Sequence, residues 1–266
     1  MIDLRLGDWL DGVRTLEAQS VDAILTDLPY GTTACKWDSV IPFVPMWAEV
    51  KRVLRPRGAF VTTASQPFTS ALVMSNLEWF RYAWVWRKDL ATGHLNAHVR
   101  PMLSHEDILV FSSGRETYHP QELRPYNRMG RRGGNGENYG ISGLMNLQEF
   151  TDYPRTVLDF AAHREIDQHP TQKPVALYEY LVRTYTDAGD TVLDFVMGSG
   201  TTGVACVRTG RRFIGCDNHE PYFRLAERRI AEAQLQAPLF SEAEMQWVVR
   251  REPALEQRAR EGDDNV

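Results

Sequence analysis

The chain has 266 residues, room for one α/β domain carrying an insertion or for two small domains. Hydrophobic residues make up 43% and charged residues 24%, the balance of a soluble globular protein, and no apolar run approaches the roughly 18–20 residues of a membrane-spanning helix. The net charge of −5 argues against an indiscriminate nucleic-acid coat, yet residues 81–134 hold nine Arg or Lys against five Asp or Glu, a basic middle inside an acidic body.

Read in chain order, IDLRLGD (2–8) and SVDAILTDLPYG (20–31) are predicted as short strands with loops at their C-terminal ends. FVPMWAEVKRVLRPRGAF then places Phe43, Met46, Trp47, Val50, Val53 and Leu54 at helical spacing, with Pro56 and Gly58 closing the helix before a strand, AFVTTAS. A further helix is expected over 67–76, and WFRYAWVWRK and EDILVFSS read as two more strands. From 112 to 167 the periodicity fades into RPYNRMGRRGGNGENYGISG, a run crowded with glycine, arginine and asparagine that suits a surface loop or a segment ordered by a ligand. Regular structure returns with KPVALYEYLVRTYTDAG, a helix closed by Gly189; DTVLDFV, a strand; GSGTTGVACVRTG, a glycine turn entering a helix; RRFIGCD, a strand; and EPYFRLAERRIAEAQ, an amphipathic helix. Strands alternating with helices imply a mostly parallel sheet covered on both faces, with ligands at the carboxyl ends of its strands. DLPYG lies at such an end.

Three cysteines, Cys35, Cys206 and Cys216, are too few and too scattered for a disulfide framework or a CxxC metal pair. The first residues show no secretory pattern, so a reducing cytoplasm is the expected setting. No metal cluster is expected, because His94, His98 and His105 are irregularly spaced.

TVLDFVMGSGTTG followed by RRFIGCD is the most interpretable unit. Asp194 ends one strand, and Gly198, Ser199 and Gly200 turn sharply into a helix beginning near Thr201. Glycines let backbone approach a ligand closely, and a helix N-terminus offers free N–H groups. Asp217 ends the next strand, where an acid accepts hydrogen bonds from ribose hydroxyls. Gly198-x-Gly200-x-x-Gly203 formally matches the dehydrogenase fingerprint. However, a carboxylate at Asp194 would repel a pyrophosphate and suits a ligand with a cationic amine. The balance favours a methyl donor over a nicotinamide.

DLPYG, HPTQKP (169–174) and LDFVMGSGTTG, in that order, resemble the amino-methylating DNA methyltransferases of the permuted β group, in which the catalytic motif precedes the cofactor motif. The resemblance covers about 2–76 and 169–233, with a weaker match at HEDILVF. It implies a Rossmann-like S-adenosylmethionine-dependent methyltransferase fold with circularly permuted motif order, divided into a catalytic half (1–111), an inserted target-recognition region (112–167), a cofactor-binding half (168–251) and a charged tail (252–266) expected to be disordered.

The chemistry asked of DLPYG is specific. An exocyclic base amine is a poor nucleophile because its lone pair is delocalised into the ring. Two acceptors aimed at its N–H bonds favour the more tetrahedral state that attacks a methyl group in line. Asp27 supplies one through its carboxylate and Leu28 the other through its backbone carbonyl, so leucine in place of the family's usual proline loses nothing. Pro29 stiffens the turn, and Tyr30 offers a flat face for an extruded base. Alone, DLPYG also fits an ordinary turn after a strand.

Residue by residue, the resemblance places Asp8 near the adenosyl moiety, with a simple helix N-cap as the alternative, and Thr171 and Lys173 at the donor's methionine carboxylate. It places Asp194 at the α-amine, Gly198, Ser199, Gly200 and Thr201 around the donor, and Asp217 at the ribose. Where the family shows Asp-Pro-Phe this chain has Asp194-Phe195-Val196, so Val196 is expected in place of the aromatic on the donor's adenine. Cys35 lacks the Pro-Cys context of the carbon-5 cytosine enzymes. Asp rather than Ser at the first motif position resembles adenine-N6 members more than cytosine-N4 members. The alternatives are N4-cytosine methylation and, more remotely, an RNA or protein-glutamine methyltransferase or a catalytically silent DNA-binding protein. Arg128, Arg131 and Arg132 are the candidate contacts to double-stranded DNA, with a solvated loop as the bland alternative. The resemblance implies a bacterial or phage source and admits a homodimer. Neither a dimer interface nor a restriction endonuclease partner is legible in the residues.

Overall fold

The computed structural model describes residues 1–31, 38–131, 145–162 and 172–236. In chain order the elements are β1 (Ile2–Leu6), α1 (Trp9–Arg14), β2 (Val21–Thr26), α2 (Phe43–Val53), β3 (Leu54–Ala64), α3 (Phe68–Ser75), β4 (Phe80–Thr92) and β5 (Leu103–Phe111). They continue with β6 (Arg124–Arg131), β7 (Met145–Thr151), β8 (Val157–Asp159), α4 (Val175–Tyr185), β9 (Thr191–Asp194), α5 (Thr201–Thr209), β10 (Arg212–Asp217) and α6 (Glu220–Gln236). Eight strands form one sheet in the order β1-β10-β9-β2-β3-β5-β4-β8. Pairing is parallel from β1 through to β3; β5 then runs antiparallel between β3 and β4, and β8 lies parallel to β4. This is the mostly parallel α/β architecture expected.

VDAILT is apolar at four of its six positions because β2 is buried on both faces, Asp22 alone being only partly buried. On one side Ala23 and Leu25 pack with Leu177, Leu181, Val204 and Ile230 of α4, α5 and α6. On the other, Ile24 packs with Val13, Met46, Trp47 and Leu72 of α1, α2 and α3. Each buried leucine or isoleucine at this centre is worth about 2–5 kcal/mol against truncation to alanine. The buried Trp84 satisfies its indole N–H on the Tyr185 hydroxyl (2.6 Å), and Trp86 does so on the Phe160 carbonyl (2.8 Å).

Several boundaries differ from the expectation. Helix α1 follows Asp8, where the sequence offers a helix only through the N-cap alternative, because six residues show too little periodicity to register. Helix α4 ends at Tyr185, short of Gly189, and Leu54 begins β3 instead of ending α2. Residues 112–167 are not uniformly loop. β6 and β7 form a two-stranded antiparallel ladder, and β8 joins the main sheet beside β4. A strand of three residues carries no readable period, and the ladder exposes Tyr126, Met129, Leu147 and Phe150, so it lacks the one-sided burial that makes alternation visible. Cys206 and Cys216 are buried free thiols, pushed up by that burial, Cys216 to about 12; Cys35 lies outside the described residues. Among the described residues no group of three or more His, Cys, Asp or Glu is arranged to hold a metal, and no helix is long and apolar enough to cross a membrane.

Candidate active site

Parallel pairing brings the C-terminal ends of β10, β9, β2 and β3 to one edge of the sheet. Register sets the order along it: Gly215 faces Asp194 across β10 and β9, and Leu193 faces Ile24 across β9 and β2. Asp217, Asp194 and Asp27 therefore stand in a row. All three line one cleft, with Pro29, Gln172, Lys173, Val196, Gly198, Ser199 and Thr201 among its other walls.

The donor end is built on the turn after β9. Gly198 and Gly200 adopt φ of 50° and 75°, in the left-handed region that favours glycine. A Cβ on Gly200 would also meet the Ala226 Cβ at 2.7 Å, so helix α6 leaves no room for a side chain there. Asp217 accepts the Gly198 and His219 backbone N–H groups, each at 2.8 Å, which fixes its carboxylate at the rim. Burial pushes the Asp217 carboxyl above the usual range. His219 Nδ1 is buried in the same wall with no hydrogen-bond partner among the described residues, and its ring lies 4.3 Å from that of Tyr222. A polar atom left so at a cleft wall fits a ligand that hydrogen-bonds there.

Asp194 is 3% exposed. It accepts the Thr26 hydroxyl at 2.8 Å, the Thr202 hydroxyl at 2.6 Å and the Val196 N–H at 3.3 Å. Burial pushes its carboxyl up to about 7, against the opposing pull of those donors. An acid so placed gains from a cationic ligand. Val196 is half-buried and lines the cleft, whereas Phe195 turns inward, 1% exposed, against Trp9.

At the other end, Asp27 follows β2 directly. Its Oδ1 accepts the Tyr30 hydroxyl at 2.9 Å and the Thr63 hydroxyl; its Oδ2 accepts Lys173 Nζ at 2.6 Å. Leu28 anchors the turn by burying its side chain, 2% exposed, in the α2–α3 core, and Pro29 faces the cleft. The Tyr30 ring stacks on Phe68 at 5.3 Å. Burial, with Asp27 and Glu106 nearby, pushes its phenol well above the ordinary value, so it stays a neutral donor.

Lys173 and Asp8 each have partners of their own within the chain. Lys173 lines the cleft, but its ammonium is taken by Asp27 and by Glu106 (3.4 Å) instead of standing clear for a carboxylate ligand. A lysine chain between two acids pairs where the anions are. Asp8 caps α1 by accepting the Leu10 N–H (2.9 Å), while the neighbouring Gly7 N–H donates to the Asp217 carbonyl (2.9 Å) and keeps this segment beside the end of β10. Thr171 and Arg132 lie outside the described residues, as does the Arg131 side chain. Arg128 is exposed on β6, its guanidinium 5.2 Å from the Tyr126 ring centroid and away from the cleft's lining residues.

Sequence reasoning missed Glu106, Lys88, Thr63, Thr26 and Thr202. Glu106 was within reach, since it belongs to HEDILVF. The threonines carried no signal, because Thr26 and Thr63 read as ordinary β-branched strand residues and Thr202 as one more residue of the first turn of α5.

A family profile described as a DNA methylase of N6/N4 type matches residues 21–228. The type II methyltransferase M.HpaI of Haemophilus parainfluenzae is 28% identical over 236 residues, covering 83% of this chain and 71% of that one. The DNA adenine methyltransferase YhdJ of Escherichia coli is 28% identical over 243 residues, covering 84% and 81%. Among solved structures, the M1.HpyAVI–SAM complex superposes with a TM-score of 0.60 at 24% identity, over 86% of this chain and all of that one. The cytosine-N4-specific PvuII DNA methyltransferase superposes at 0.65 with 15% identity, over 88% and 92%, a likeness of fold.

Proposed function

This chain belongs to the N6/N4 DNA methylase family and is an S-adenosylmethionine-dependent DNA methyltransferase, and from that premise we propose that it methylates the exocyclic N6 amine of an adenine flipped out of double-stranded DNA. The observation that carries the reading is the placing of Asp27 in the wall of the cleft that also holds Asp194, Asp217 and the Gly198–Gly200 turn. The choice of adenine rests on aspartate at position 27 and on a 28% identical relative named as a DNA adenine methyltransferase.

Asp194 faces a donor's ammonium, Asp217 its ribose hydroxyls, and the Gly198–Thr201 turn lets it approach backbone. S-adenosylmethionine supplies a methyl group on a sulfonium, an electrophile strong enough that no covalent enzyme intermediate is needed. The Asp27 carboxylate and the Leu28 carbonyl would hold the two N–H bonds of the target amine, which on gaining the methyl group would release one proton to solvent. The Tyr30 ring, stacked on Phe68 and with Lys173 Nζ 5.7 Å from its centroid, is the aromatic surface offered to the flipped base, stacking there being worth about 1–3 kcal/mol toward the cost of extrusion. Arg128, Arg131 and Arg132 contact the duplex from the 112–167 insertion, beside a chain that otherwise carries net negative charge.

Nucleoside mass spectrometry of DNA from a methylation-free host expressing the chain, alongside Asp27→Ala, tests this. N6-methyladenine absent from the variant is the expected result. N4-methylcytosine in its place would overturn the choice of base and keep the mechanism. No methylated nucleoside from a folded protein that binds donor would overturn the substrate.

A further inference from the structure

Asp27 is a largely occupied acceptor. An ionised carboxylate has about four lone-pair sites. Two on Oδ1 are taken by Tyr30 and Thr63, and Lys173 stands on Oδ2 at 2.6 Å. The lysine also neutralises the charge that a methylated, cationic amine would draw on. Beyond it, Glu106 Oε2 lies 3.4 Å from Lys173 Nζ and 3.4 Å from the Tyr30 hydroxyl, and Glu106 Oε1 takes Lys88 Nζ at 2.5 Å. Charge therefore alternates along a chain of four side chains, Lys88, Glu106, Lys173 and Asp27, whose sum is zero.

We propose that Lys173 holds the place of the target amine on Asp27 in the free enzyme, and that Glu106 is the positioning residue to which Lys173 withdraws when the base arrives. This rests on the reading of Asp27 as the acceptor for the amine. Three features make the exchange inexpensive. Lys173 already contacts both acids, so the move is a small swing of one side chain. Glu106 is largely buried; the Lys173 and Lys88 charges outweigh that burial and hold its carboxyl below the ordinary range, ready to take the full partner. The backbone of Lys173 stays fixed meanwhile, since its carbonyl accepts the Thr201 hydroxyl (3.4 Å) at the start of α5. Thr201 lines the donor end, so the place-holder is tied to the wall that binds donor.

The swing makes a suppressor prediction that a merely structural role does not. Glu106→Gln leaves Lys173 without a second anion, locks it on Asp27, and lowers kcat about tenfold or more at unchanged donor KM. Glu106→Asp restores most of it. Adding Lys173→Met to Glu106→Gln removes the lock, so the double variant at saturating donor turns over faster than Glu106→Gln alone. A double variant no faster than Glu106→Gln overturns the proposal, as does a Glu106→Gln enzyme with unchanged kcat. Nitrogen NMR of the lysine ammonium groups in the unsubstituted protein supplies a second arm that needs no turnover. The Lys173 resonance is expected to shift when target duplex and S-adenosylhomocysteine are added together, and an unmoved resonance overturns the exchange. Turnover is scored on whichever methylated nucleoside forms, so a cytosine product would correct the base while leaving this test intact.

Discussion

Asp27 at the end of β2 and Asp194 at the end of β9 stand on adjacent parallel strands, yet their surroundings are opposite. Asp27 meets an ammonium at 2.6 Å, whereas the partners of Asp194 among the described residues are two threonine hydroxyls and an amide. One acid is supplied with its cation by the fold. The other has none among the described residues, and burial pushes its carboxyl up to about 7. Burial of a charge is costly unless it is paired, so the contrast fits the proposed division between an acid kept for a neutral amine and one kept for a cationic ligand.

The sharpest way to break the comparison is to remove Asp27. Asp27→Ala is expected to lower kcat about 10³-fold with the donor dissociation constant unchanged, read by single-turnover kinetics beside donor titration. Collapse of donor binding in that variant would show that the two acids act as one site. Asp194→Asn should do the reverse, weakening donor binding by about tenfold to a hundredfold, the worth of one charge-assisted contact. It should also stabilise the donor-free protein by roughly 1–3 kcal/mol at pH 8, because a buried, unpaired charge is gone. Calorimetry without donor decides this, and an unstabilised variant would mean that the hydroxyls already satisfy the acid.

The donor end depends on backbone shape as well. Gly200→Ala combines a φ of 75° with a Cβ that would meet Ala226, and should cost about 1–3 kcal/mol in denaturant midpoints. The pH dependence follows from Asp194. Its folded-state value lies above the unfolded one, so this group's contribution to stability is fullest below the unfolded value and is lost as pH rises toward 7. Donor affinity runs the other way. It should be about tenfold stronger at pH 8 than at pH 6, because the ammonium requires the ionised form. A flat profile by isothermal titration would remove Asp194 from the ammonium site. The smallest expected effect is on the β6–β7 ladder. Arg128→Ala should weaken duplex binding several-fold and reduce its salt slope by about one, leaving donor binding alone.

Much of this site was legible. DLPYG announced an acid and an aromatic at a strand end, and GSGTTG between Asp194 and Asp217 announced a close backbone approach flanked by acids, because glycine and chain order carry these signals locally. What stayed hidden was pairing across distance. Lys173 stands 146 positions from the acid it neutralises, and Thr26 168 positions from the one it donates to.

The amino-acid sequence by itself determined the alternation of strands and helices, the glycine turn and the identity of the acids, since propensity, burial period and motif spacing act within a few residues. Only the tertiary structure decided which acid has a cation, because charge pairing depends on distance in space. Antiparallel pairing of β5 with β3 carries Glu106, and the segment entering α4 carries Lys173, to Asp27, while parallel pairing of β9 with β2 sets Asp194 among hydroxyls.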